Sequence, residues 1–161
     1  MAKPTTVTIA AARFPDDDAT VRALFREYVD SLGVDLSFQD VEAEFAALPG
    51  KYAPPGGMIL IARDAEGEAV GCAALRPLPQ AGACEMKRLY VRPAGRGQNL
   101  GRRLAETIIA QARDAHYTRM LLDTLAPMRA AQALYASLGF TPTAPYYDNP
   151  LPGARYLALD L

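Results

Sequence analysis

The segment of this sequence best suited to chemistry runs from Leu89 to Leu104, where the order Tyr90-Val91-Arg92-Pro93-Ala94-Gly95-Arg96-Gly97-Gln98-Asn99-Leu100-Gly101 takes the chain from a strand through a glycine-bearing turn into a helix. The first N–H groups of a helix have no intrahelical acceptor, and the helix dipole leaves that end partly positive. A pyrophosphate can accept several of those N–H bonds at once. Gly97 and Gly101 carry no Cβ and permit close approach of backbone to such a ligand. Arg96, Arg102 and Arg103 add charge at the mouth, and a guanidinium binds phosphate bidentately. The plainer alternative is an ordinary helix start whose arginines face water. Rival phosphate motifs do not fit: no Gly-Lys-Ser or Gly-Lys-Thr occurs, and a dinucleotide fingerprint begun at Gly95 meets Leu100 where its third glycine belongs.

Other chemistries find less support. His116 is the only histidine, so a zinc site or a serine triad would hang on one residue. Cys72 and Cys84 lack metal-ligand spacing, fall in strand-like segments and read as reduced packing residues. The formal net charge of -1 gives no global basic field to draw nucleic acid or anionic lipid. No apolar run approaches the roughly 20 residues of a bilayer span. Met1 to Phe14 has no apolar core of a signal peptide, so a cytoplasmic location is expected.

The elements that must position the turn follow from periodicity. With 161 residues, half of them hydrophobic, the chain suits one domain, 1–161, with a real core. A strand over Thr6–Ala12 precedes an acidic helix start at Asp16-Asp17-Asp18. Val21, Leu24, Phe25, Tyr28, Val29 and Leu32 then recur at helical steps up to Gly33. Ser37 and Asp40 mark a second helix start, with Phe38, Val41, Phe45 and Leu48 as its stripe. Pro49–Gly57 holds three prolines and three glycines and reads as a loop. Met58–Ala62 and Ala69–Leu75 form a hairpin, and Cys84–Val91 is a third strand of that group. A helix begins near Gln98, a short strand covers Arg119–Thr124, and a last helix starts at Pro127 and ends at Gly139. Phe140-Thr141 and Ala154–Leu161 close the chain as strands. The predicted class is one mixed α/β domain.

At these residues a resemblance emerges. The run from Arg96 to Gly101 resembles the acetyl-CoA-binding motif of the GNAT acetyltransferases, Arg/Gln-x-x-Gly-x-Gly/Ala, with Asn99 in place of the middle glycine. Asparagine enters left-handed conformations more readily than most residues. Ala131-Gln132-Ala133-Leu134-Tyr135-Ala136-Ser137-Leu138-Gly139-Phe140 is similar to the signature of the last helix of that fold. Met128 stands where the family often has a cofactor-touching asparagine. The resemblance implies a central, strongly twisted mixed sheet of about seven strands flanked by about four helices, splayed between the third and fourth major strands. It implies acetyl-CoA as cosubstrate, no metal, and cofactor contacts from Leu89, Tyr90, Val91, Arg96, Gly97, Gln98, Asn99, Leu100, Gly101 and Arg102. The Leu89–Val91 backbone would bond the pantetheine arm.

The implied activity is transfer of acetyl from acetyl-CoA to a primary amine, most simply of a small molecule, by direct attack in a ternary complex. A protein or peptide acceptor, and a non-catalytic acyl-CoA sensor, are the alternatives. No nucleic acid or membrane partner is expected, and a homodimer is left open. Tyr135 is the expected proton donor to the departing thiolate, against the alternative of a core aromatic with a surface hydroxyl. Glu85 is the expected base for the attacking amine, against the alternative of a surface glutamate paired with Lys87 or Arg88. Strand alternation puts Glu85, Lys87 and Leu89 on one face and Met86, Arg88 and Tyr90 on the other. Two loops, Pro49–Gly57 with Tyr52 and Pro145–Pro150 with Tyr146, Tyr147 and Asp148, would frame an acceptor, and Arg76 or Arg88 would hold a carboxylate on it.

Overall fold

A computed structural model describes residues 6–34 and 40–161. Seven strands form one sheet in the order β1-β2-β3-β4-β5-β7-β6, with β1 at Thr8–Ala11, β2 at Met58–Arg63, β3 at Ala69–Pro77, β4 at Ala83–Val91, β5 at Arg119–Thr124, β6 at Thr141–Pro142 and β7 at Arg155–Asp160. Four α-helices accompany them among the described residues: α1 at Asp18–Ser31, α2 at Val41–Ala46, α3 at Leu100–Asp114 and α4 at Arg129–Ser137. Single 3-10 turns occupy Gly50–Tyr52 and Pro93–Gly95. The expected mixed sheet, strand count and helix count are all present. Ser37 and Phe38 of the expected second helix start lie outside the described residues.

Two apolar layers clamp the sheet. On one face Leu104, Ile108 and Ala112 of α3 pack with Met86, Met120 and Leu122, joined by Tyr135 of α4 and by Phe140. On the other, Val21, Leu24 and Phe25 of α1 meet Phe45, Tyr52, Ile61 and Cys72. Val21, Leu24, Phe25, Val29 and Leu32, read from the periodicity of α1, are thus residues that face the sheet. Cys72 and Cys84 are buried free thiols, each pushed up to about 12 by burial, which makes them packing residues as expected.

Two irregularities in β4 matter for function. First, β4 and β5 are paired in parallel only over Ala83 to Glu85. Beyond that point the strands diverge, so the sheet splays between the strands where the resemblance placed the opening, and one edge of β4 faces no strand. Second, the register against β3 slips between Cys72 and Ala74, and Arg88 takes a φ of 59°. This is a β-bulge, two residues opposing one. It overturns the simple alternation: Arg88 turns to the α1–α2 side to meet Glu44 of α2, whereas Leu89 and Val91 join Met86 on the α3 side. Tyr90 keeps to the α1 side. A period of two holds only while each residue has one partner, and the inserted residue breaks it.

Candidate active site

The turn after β4 is built for an anion. The first intrahelical bond of α3 is Arg103 N–H to Asn99 O at 3.0 Å. Between Gly97 and Arg102 no backbone N–H donates to a protein acceptor among the described residues. Asn99 adopts φ 54° and ψ 26°, the left-handed geometry that lets asparagine stand where the motif has glycine. Gly97 has φ +84° with open space where a Cβ would sit. Gly97→Ala should therefore destabilise the fold by about 1 kcal/mol through backbone strain alone, measured as a lower urea midpoint with unchanged slope. The helix begins at Leu100 rather than near Gln98, because Gln98 and Asn99 belong to the turn.

Beside the turn lies a cleft of about 840 Å³, walled by Leu89, Tyr90 and Val91 on one side and by Pro127, Ala131 and Leu134 on the other. Arg96 and Gly101 also line it. Three other side chains of the turn and first helical turn are engaged elsewhere. Leu100 is sealed in the core and offers only its backbone. Arg102 is bonded to Ser137 and Glu106, and Arg103 donates to Val7 O at 2.9 Å. The cleft's cations are Arg96 and Arg129, the latter at the start of α4. Sequence reading passed over Arg129, although its place just after Pro127 marked it as the mouth of a second helix. Met128 lines the cleft as well and accepts a weak bond from Thr124 Oγ1 at 3.8 Å.

A small space of about 40 Å³ continues inward from the cleft between the diverging β4 and β5. It shares Tyr28, Leu89, Leu125 and Met128 with the cleft and holds Tyr135. Tyr135 is 6% exposed, its ring edge-on to Phe140 at 5.7 Å. Its hydroxyl makes no protein hydrogen bond among the described residues, yet no buried side-chain oxygen there is left orphaned. The hydroxyl therefore opens into this space. Burial, with smaller contributions from Tyr28 and Asp123, raises its pKa and keeps the phenol protonated. Tyr28, which sequence reading used only as a helix-face residue, is pushed up to about 12 by burial.

A third pocket, of about 340 Å³, meets the inner space at Lys87. It is lined by Lys51, Arg76, Glu85, Tyr146 and Tyr147, with the β3–β4 turn at its rim. Glu85 is fully buried, which corrects the picture of a surface glutamate paired with Lys87 or Arg88. Its Oε1 accepts from Arg76 Nε at 2.7 Å, and its Oε2 accepts from the Tyr146 hydroxyl. Arg76 lies directly opposite Glu85 in the β3–β4 register, which is why they meet. Arg88 instead donates to Glu44 Oε2 at 2.9 Å, and Glu44 also accepts from Tyr52. The Tyr147 hydroxyl donates to Asp123 on β5, and Asn149 Nδ2 joins them at 3.1 Å. Desolvation lowers the pKa of the buried Lys87, while Glu85 and Asp123 pull the other way. Asp148 is not among the residues lining this pocket.

Residues 21–140 match the model of the Acetyltransferase (GNAT) family. The chain belongs to the GNAT family. An uncharacterized N-acetyltransferase of Schizosaccharomyces pombe is 45% identical to this acetyltransferase over 100% of this chain and 99% of that one. A Klebsiella pneumoniae crystal structure assigned as an acyl-CoA N-acyltransferase is 29% identical, with a TM-score of 0.74 over 97% of this chain and 98% of the other. The fold is shared too by yncA of Salmonella typhimurium, solved with acetyl-CoA, at 24% identity and a TM-score of 0.70 over 96% of this chain and 94% of that one. The N-acetyltransferase is thus similar along its whole length to proteins of the same kind.

Proposed function

We propose that this N-acetyltransferase uses acetyl-CoA and delivers the acetyl group to the primary amine of a small molecule by direct attack. The observation that carries the reading is the run of N–H groups from Gly97 to Arg102 with no acceptor among the described residues, opening beside a cleft that narrows to Tyr135. Those N–H groups suit a pyrophosphate. The apolar walls and the free edge of β4 suit a pantetheine arm, with backbone groups of Leu89–Val91 within its reach. A pocket of about 340 Å³ framed by side chains favours a compact acceptor over a polypeptide track. Thiol release from acetyl-CoA across a panel of small amines and lysine peptides tests this. Turnover with small amines is the expected result, and turnover with peptides alone would overturn the small-molecule assignment.

In this reading Glu85 receives the proton of the acceptor's ammonium through the Tyr146 hydroxyl, which takes that proton as it gives its own to Oε2. Glu85→Gln keeps the size and the contact with Arg76 but removes the basic oxygen. Turnover should fall roughly a hundredfold near neutral pH and recover in part at high pH, where more amine is already neutral. Steady-state constants across pH check this. A rise confined to KM would make Glu85 a binding group instead.

A further inference from the structure

Among the described residues the third pocket is lined by three basic side chains, Lys51, Arg76 and Lys87, and one carboxylate, Glu85. Glu85 and Glu44 are the carboxylates beside Arg76, and each already has a partner: Glu85 has Arg76, and Glu44 has Arg88. Lys51 is exposed at the rim and Lys87 is buried at the inner end. Arg76 is the informative group. Its Nε is tied to the sealed Glu85 carboxylate, while Nη1 and Nη2 have no protein acceptor among the described residues. Its side chain is 24% exposed, at the pocket wall. A guanidinium fixed at one nitrogen keeps its remaining donors pre-aimed, and two parallel N–H bonds match a carboxylate. The Tyr146 and Tyr147 hydroxyls bond to Glu85 and Asp123, and both rings line the pocket, adding apolar surface beside the Tyr146 hydroxyl.

We propose that this pocket selects amines that bear a carboxylate, namely amino acids, by seating the carboxylate on the Nη edge of Arg76 with Lys51 adding charge at the rim. The inference rests on the acetyl-transfer reading and names its acceptor class. Arg76 would bind substrate directly, with Glu85 as its anchor. An uncharged amine would leave the Nη donors facing only water.

The test uses the full chain with matched pairs, free amino acids against their amides, which keep the amine and lose the carboxylate charge. Thiol release should show kcat/KM about 100-fold higher for the best amino acid than for its amide. Arg76→Lys, which keeps a cation for Glu85 but has no planar fork, should erase most of that preference, and Lys51→Gln should reduce it several-fold. Melting curves confirm that each variant is folded. Amides used as well as acids would overturn the inference and leave acetyl transfer standing. If no amine releases thiol, the transfer reading fails, and calorimetry with free coenzyme A present decides the pocket separately. Amino-acid binding that is lost in Arg76→Lys would uphold the subsite, and equal binding of acid and amide would overturn it.

Discussion

Tyr135→Phe should lower turnover by about ten- to a thousandfold while leaving acetyl-CoA affinity almost unchanged. The substitution keeps the ring, and hence the edge-on contact with Phe140 at 5.7 Å that ties α4 to the start of β6. Only the hydroxyl is lost, and that hydroxyl has no hydrogen-bond partner among the described residues to abandon. The fold should therefore be unaffected, and any loss of rate belongs to chemistry. Burial holds the phenol above its ordinary value, so it stays neutral and, in the proposed reaction, would donate a hydrogen bond to the leaving thiolate. Rapid-mixing measurement of thiol release separates the chemical step from product release. An unchanged chemical rate would remove Tyr135 from the mechanism and return it to the core-aromatic role that its position on the helix also allows.

Gly101→Asp should abolish the rise in melting temperature produced by acetyl-CoA. A Cβ at this position meets Leu134 Cδ2 at 3.7 Å and Val91 Cγ2 at 4.0 Å, ordinary contacts that need no rearrangement. The fold should accept the substitution. The binding site should not, because a carboxylate would stand beside the free N–H groups of the turn, where it can occupy them itself and repel phosphate. Ligand-linked stabilisation amounts to roughly 2.7 kcal/mol at a hundredfold excess over Kd, so its disappearance is readily seen by scanning calorimetry. Gly101→Ala is the steric control and should retain most of the shift. A folded Gly101→Asp protein that still responds to acetyl-CoA like the parent would show that the phosphates bind elsewhere.

The parts of the site legible in the sequence were those written in local chemistry. The strand, glycine turn and helix from Leu89 to Leu104 are contiguous, and their backbone roles follow from residue type. Asn99 could be accepted in the turn because its left-handed tolerance is intrinsic. Tyr135 could be singled out as a candidate because its helix carries a distinctive local pattern. The parts that escaped depend on register. Arg76 meets Glu85 only because β3 and β4 pair at those two positions, and Tyr146 reaches Glu85 across 61 positions of chain. Neither meeting has a local signature. The orientation of Arg102 towards Ser137 escaped for the same reason, since it depends on how α4 packs beside α3.

The bulge at Arg88 has a consequence for how such a protein can diversify. It divides β4 into two segments with separate clients: Glu85 and Lys87 line the third pocket, and Leu89 to Val91 line the cleft. Because the strand's facing is reset between them, the two segments present their side chains to different spaces. A residue exchanged at Glu85 or Lys87 changes the lining of the third pocket and leaves the side chains of Leu89 to Val91 at the cleft wall. Removing the extra residue would turn Leu89 to Val91 over relative to Glu85 and Lys87, taking from the cleft the side chains that now wall it.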